Sequence, residues 1–178
     1  MRWLPFQLNP DLPVAGIPRV DYVARKFGAR GKGNYERVAK VGETVGIAFA
    51  FDKIEVQPNT VNAHRLLHYA EQQGKQDAVA EVLFAAYFIH GANLTDIDTL
   101  ADVGSKGGLD REQTRAWLAS NAERDVMVSA DVEVRNAGIS GVPFFIFNRA
   151  VSVSGAQDAE TLVGAMLQAM QPGAARQG

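Results

Sequence analysis

Gly141-Val142-Pro143-Phe144-Phe145-Ile146-Phe147-Asn148-Arg149-Ala150-Val151-Ser152-Val153-Ser154-Gly155-Ala156-Gln157 is the stretch on which the fold turns. Phe144 to Phe147 is a continuous apolar run of strand length, set off by Gly141-Val142-Pro143. Asn148-Arg149 follows as tight-turn chemistry. Ala150 to Ser154 then alternates Val151 and Val153 with serine, the period of a half-buried strand. The pair predicts a β-hairpin that Gly155 ends. Beyond it, Leu162, Val163, Met166, Leu167 and Met170 fall on one face of a closing helix. From Pro172 the chain is small and polar, so residues 172–178 are expected to fray.

Upstream of the hairpin the pattern is helical. Tyr22 to Phe27 predicts a short helix ended by Gly28. Asn34 to Val45 predicts another, with Val38, Val41 and Val45 as its inner stripe. Phe49 to Val56 is open between a loop and a short extended stretch. Asn59 or Thr60 caps a helix that runs to about Gln73 and stops at Gly74. Gln76 to His90 carries Val79, Val82, Leu83, Ala86 and Ile89 at three- and four-residue steps, and Gly91 ends it. Thr95 is expected to cap a short helix containing Ile97 and Leu100. Asp110 with Gln113 resembles a capping box before Trp117 and Leu118. Asp125 to Ala137 closes at Gly138. At the start, Trp3 to Leu8 reads as a strand, at an edge or irregular because of Pro5. Asn9-Pro10-Asp11 is a turn and Asp11 to Pro18 an irregular loop. The order is strand, helical block, hairpin, helix. It predicts an α/β fold, a single domain over residues 1–171, with a sheet drawn from both chain ends and a helical insertion over about 20–138.

Composition narrows the functions. The chain has 178 residues, the size of one domain, and 47% of them are hydrophobic, enough for a sizeable core. A net charge of −2 offers no electrostatic case for nucleic acid or an anionic membrane as partner. Arg25, Lys26, Arg30 and Lys32 form the one local basic cluster, read as solvated surface around a loop. No apolar stretch approaches the roughly 20 residues that span a bilayer. The start MRWLPFQLNP lacks the apolar core of a signal peptide, so a cytoplasmic setting is expected. The cysteine count is zero, which excludes a disulfide framework, a thiolate nucleophile and a zinc–thiolate site within this chain.

Gly141-Val142-Pro143-Phe144-Phe145 followed by Val153-Ser154-Gly155-Ala156-Gln157 resembles the C-terminal half of the thioredoxin fold in DsbA-type proteins. Trp3, Pro5 to Pro10, Asn59-Thr60 with Ala63-His64-Arg65-Leu66, and Ala85-Ala86-Tyr87-Phe88 resemble the FrnE-like branch, described as polyketide-biosynthesis dithiol-disulfide isomerases. The resemblance covers nearly the whole chain. It implies a βαβ unit, a helical insertion and a ββα unit, with a cis proline at Pro143 beside the family's cysteines. It implies that Val142 offers its backbone to an extended peptide or to glutathione, by strand addition in miniature. Gly141, Phe6, Ala156 and Gln157 complete the implied substrate-binding set, and no residue is assigned a catalytic role.

The family also begins with a strand and a Cys-x-x-Cys helix, which have no counterpart here. By the resemblance the N-terminal βα unit is missing and would leave a central gap between Trp3–Leu8 and Phe144–Phe147. Either the reading frame starts late, or another segment or chain fills the gap, most simply in a homodimer that pairs strands across subunits. The function implied is thiol–disulfide oxidoreductase or isomerase, inactive as a dithiol enzyme in this cysteine-free form. The alternatives are a non-catalytic module binding a peptide or glutathione, and a relative of glutathione-dependent 2-hydroxychromene-2-carboxylate isomerases. Glutathione is the one cofactor this admits.

Other residues invite weaker readings. His64 and His68 stand at zinc-binding spacing, but the segment His64-Arg65-Leu66-Leu67-His68 lacks the glutamate of that motif and a third ligand, so no metal is expected. His90 reads as a dipole contact at a helix end. Asp96, Asp98 and Asp102 read as helix-start residues rather than a cation site. Phe6, Tyr87 and Phe88 fit core packing or a groove lining. Gln157 and Asp158 fit either a helix start or a carboxylate contact.

Overall fold

The computed structural model describes residues 1–28 and 31–171. Arg30 of the basic cluster and the tail 172–178 lie outside them, as do the side chains of Gly31 and Lys32. The chain divides into two compact units, Met1–Ala130 and Asp131–Gly178.

The first unit begins with an irregular segment, then β1 (Ile17–Pro18), α1 (Arg19–Phe27) and α2 (Gly31–Thr44). A single 3₁₀ turn at Phe51–Lys53 leads to β2 (Val56–Gln57), and α3 (Val61–Gln72), α4 (Gln76–Phe88), α5 (Ile97–Lys106) and α6 (Arg111–Ala119) follow. The core lies among α3 to α6. Leu66, Ala70, Val79, Leu100 and Leu118 are buried there, with Ile54 and Leu94 closing its margin. The start of α3 is satisfied by Asn59, whose Oδ1 accepts from Val61 N at 3.1 Å. Gly91 does more than end α4. Its φ of 69° is left-handed, and a Cβ there would strike the Lys53 carbonyl. α7 (Arg124–Asn136) starts in this unit and continues into the second.

In the second unit β3 (Phe144–Phe147) pairs antiparallel with β4 (Val151–Ser154), with Phe144 opposite Ser154 and Phe147 opposite Val151. Asn148 and Arg149 turn the hairpin with φ of 50° and 57°, the two left-handed residues of a type I′ turn. The period of two puts Phe145 and Phe147 on one face, their rings stacked 6.3 Å apart. α8 (Ala159–Ala169) packs on the hairpin, and Asn148 Nδ2 donates to Ala169 O at 3.1 Å.

Four expectations change. Trp3–Leu8 is not a strand. Its backbone is claimed by a side chain instead: Trp3 N donates to Gln76 Oε1 at 2.9 Å, and Gln76 Nε2 donates to Trp3 O at 3.1 Å. In place of one sheet drawn from both chain ends, the described residues form two separate two-stranded sheets, β1 with β2 and β3 with β4. In α2 the packed side is Tyr35, Ala39 and Gly42, with Phe49 against Gly42, and Val38, Val41 and Val45 face solvent. A glycine and an alanine let the backbone come close, which the valine stripe would prevent. α8 likewise buries its small residues, with Ala165 and Ala169 buried and Val163, Met166, Leu167 and Met170 exposed. Finally, α5 is capped by Asp96, not Thr95.

Candidate functional site

The loop Gly141–Pro143 leads directly into β3. The Val142–Pro143 peptide bond is cis. Pro143 O accepts from Gly155 N at 2.8 Å, so the start of β3 and the end of β4 are tied together. Gly141, Val142, Pro143, Ala156 and Gln157 therefore gather at one end of the hairpin. Val142 is 47% exposed. Among the described residues its backbone N–H and C=O enter neither the β3–β4 ladder nor any other backbone hydrogen bond. Unladdered backbone at a strand's open edge is what an extended chain pairs with.

The α8 start closes the same end. Gln157 Nε2 donates to Ser154 O at 3.0 Å, which folds its amide back onto β4. Asp158 accepts from Thr161 N at 2.7 Å as the N-cap. Hydrogen bonds from Thr161 hold its carboxyl below the usual carboxylate range. Both side chains serve the helix start. Phe6 stands in the first unit and is buried there. Tyr87 and Phe88, in the same unit, meet edge-to-face at 4.9 Å.

The remaining candidates take structural roles. His68 Nε2 lies 3.2 Å from Glu123 and its Nδ1 3.5 Å from Glu71. His64 and His68 line a cleft of about 130 Å³ with Trp3, Pro5 and Met127. Among the described residues no three His, Asp or Glu side chains converge as metal ligands. His90 lies just past the α4 cap at Ile89. Asp96 accepts from Thr99 N at 3.0 Å and Thr99 Oγ1 at 2.7 Å. Asp98 pairs with Arg115 at 2.6 Å and Asp102 with Arg111 at 2.6 Å, so arginines across the α5–α6 turn balance this acidic group.

Arg65, outside the candidate set, is fully buried. Its Nε donates to Ala122 O at 2.9 Å, Nη1 to Leu118 O at 2.9 Å and Asn62 Oδ1 at 3.0 Å, and Nη2 to Trp117 O at 3.2 Å. The Trp117 and Leu118 carbonyls belong to the last turn of α6, where the dipole is negative, and Trp117 O also accepts from Ser120 N at 3.2 Å. Arg65 thus caps α6 from α3. Burial lowers its pKa, with Arg124 adding to that effect. An arginine amid apolar residues was the available sequence signal, but its distant acceptors were not legible.

Comparison with known proteins adds the following. Residues 1–167 match the family described as the DSBA-like thioredoxin domain. The uncharacterised protein YwbO of Bacillus subtilis is 25% identical over 152 residues, which are 85% of this chain and 73% of that protein. The crystal structure of a probable DsbA oxidoreductase from Streptomyces coelicolor is similar with a TM-score of 0.83 and 29% identity, over 92% of this chain and 72% of that one.

Proposed function

The chain belongs to the DSBA-like thioredoxin domain family and has its thioredoxin-like mixed α/β fold, and on that footing we propose that it holds the substrate side of thiol–disulfide exchange. Exchange needs a reactive thiolate, a mixed disulfide and a second cysteine to resolve it. This chain has no cysteine and supplies neither sulfur. It supplies the Val142 edge, where an extended peptide or a small thiol such as glutathione pairs with backbone N–H and C=O. Ala156 and Gln157 flank that edge. The observation that carries the reading is the exposed Val142 with its backbone groups outside the ladder. Within the family, the Asn59-Thr60 and Ala63-His64-Arg65-Leu66 segments favour the FrnE-like branch. The exposed apolar face of α8 favours a homodimer.

Two measurements test this. Titration with glutathione and with an unfolded peptide should move the amide resonances of Val142 and Phe144 saturably. Silence there with both would overturn the binding edge. In an insulin-reduction assay the chain should show no turnover, and cysteine-independent turnover would overturn the assignment of its role.

A further inference from the structure

The hairpin of the second unit has two long edges, and they are not alike. Gly155 N donates to Pro143 O at 2.8 Å. Bonding alternates along an antiparallel ladder, so Phe145 and Phe147 also turn their N–H and C=O towards β4. Val142, Phe144 and Ile146 turn theirs the other way, to the open edge of β3. On β4 the outward residues are Ser152 and Ser154. That edge is closed in part, because the Gln157 amide donates to Ser154 O at 3.0 Å. β3 has no such cover: among the described residues it pairs with β4 alone, and Ile146 is 50% exposed.

Edge strands are commonly blunted by a lysine, an inward charge, a proline or a bulge. Phe144-Phe145-Ile146-Phe147 carries none of these, and its register with β4 is unbroken. Within residues 136–157 the sole charged residue is Arg149, at the turn. A twofold contact sets a group on its axis against its own copy, so like charges there repel and an uncharged seam admits pairing. The three outward residues are also symmetric about Phe144. An antiparallel twofold through Phe144 sets that residue against its own copy, and Val142 against Ile146 of the partner subunit, at both ends. Every outward N–H and C=O of the three residues then meets a complementary group. A twofold through Ile146 would instead set Phe144 against the turn at Asn148. α8 rests on both strands of the hairpin, so the twofold through Phe144 puts both copies of α8 on one face of a four-stranded sheet.

Given the proposed homodimer and the proposed Val142 edge, we propose that the two are one surface. The open edge of β3 joins two copies antiparallel through Phe144, and the same pairing covers Val142. Self-association and peptide binding are then alternatives: the dimer is the closed form, and the monomer takes the extended chain.

The chain has no cysteine, so single introduced thiols report the register cleanly. Directly opposed residues of a hydrogen-bonded antiparallel pair have Cα atoms about 5.5 Å apart, within disulfide reach. With diamide as oxidant, Phe144→Cys should form a disulfide-linked dimer on a non-reducing gel, and Ile146→Cys alone should not. Mixing the Val142→Cys and Ile146→Cys chains should restore the link. Ile146→Lys, at a half-exposed position, should sediment as a monomer. Saturating unfolded peptide should halve the sedimenting mass of the native chain from twice 19.2 kDa. The cross-linked Phe144→Cys dimer should not respond to peptide at Val142, whereas its reduced form should. A native dimer that fails to cross-link through Phe144→Cys would overturn this interface while leaving the homodimer reading. A native monomer would overturn both. Equal peptide binding by the cross-linked and reduced forms would overturn the masking. If neither form responds, the Val142 edge fails as a ligand site, and the masking with it.

Discussion

At the scale of single residues, two buried polar side chains behave in opposite ways. Arg65 has acceptors on every side, and removing it would strand them. Arg65→Met should therefore remove a donor from the carbonyls of Leu118 and Ala122, while Trp117 O keeps Ser120, and cost at least about 3 kcal/mol, read as a fall in the urea midpoint. Among the described residues Tyr87 has no acceptor, so Tyr87→Phe should raise stability by about 1–3 kcal/mol, the desolvation cost of an unmet hydroxyl. The pH dependence follows from the same burial. A tyrosine ionises near pH 10 in the unfolded chain, whereas Tyr87 in the fold does so at about 12. As pH rises between those values the unfolded state sheds its proton first, and stability falls. Urea midpoints measured across that alkaline window should decline less in Tyr87→Phe than in the native chain.

At the scale of elements, the helix starts are the most local and the most testable features. Asp96 and Asp110 each accept a hydrogen bond from the third residue beyond them, at 3.0 and 2.8 Å. Replacing either by alanine should cost about 1 kcal/mol, measured by thermal unfolding. The Thr99 hydroxyl bond holds the Asp96 carboxyl below its usual range. The stabilisation it brings is present above roughly pH 4 and is lost as pH falls through the lowered pKa, a loss that Asp96→Ala should not show. The Asp110 cap and the β3–β4 hairpin were legible because each is written in contiguous residues: a capping pair, a two-residue turn, a period of two. Trp3–Leu8 was not, because the Gln76 amide that takes its backbone lies far along the chain. The packed face of α2 was misread for a related reason. Apolar periodicity marks a stripe, but glycine and alanine decided which side could approach a neighbour. Likewise the Val142 edge was named only by resemblance to a family, while the acceptors that Arg65 reaches on α6 lie on a helix that no short motif connects to α3.

At the scale of the whole molecule, what stays uncovered matters as much as what is buried. Val163, Met166, Leu167 and Met170 are between 49% and 77% exposed along α8. The proposed homodimer rests on this apolar face. Sedimentation should report a species heavier than the 19.2 kDa chain, and Leu167→Gln with Met170→Gln should shift it towards the monomer. A monodisperse monomer in the native chain would contradict the proposed homodimer. The division at Ala130 carries a consequence of a different kind, for spectroscopy. Trp3, Trp117 and all four tyrosines precede it, so the segment Asp131–Gly178 is dark to near-ultraviolet light except for its phenylalanines. Tryptophan emission during denaturation is therefore a private record of the helical unit. Far-ultraviolet dichroism sums both units, and any gap between the two curves would be the optical signature of the hairpin unit melting on its own.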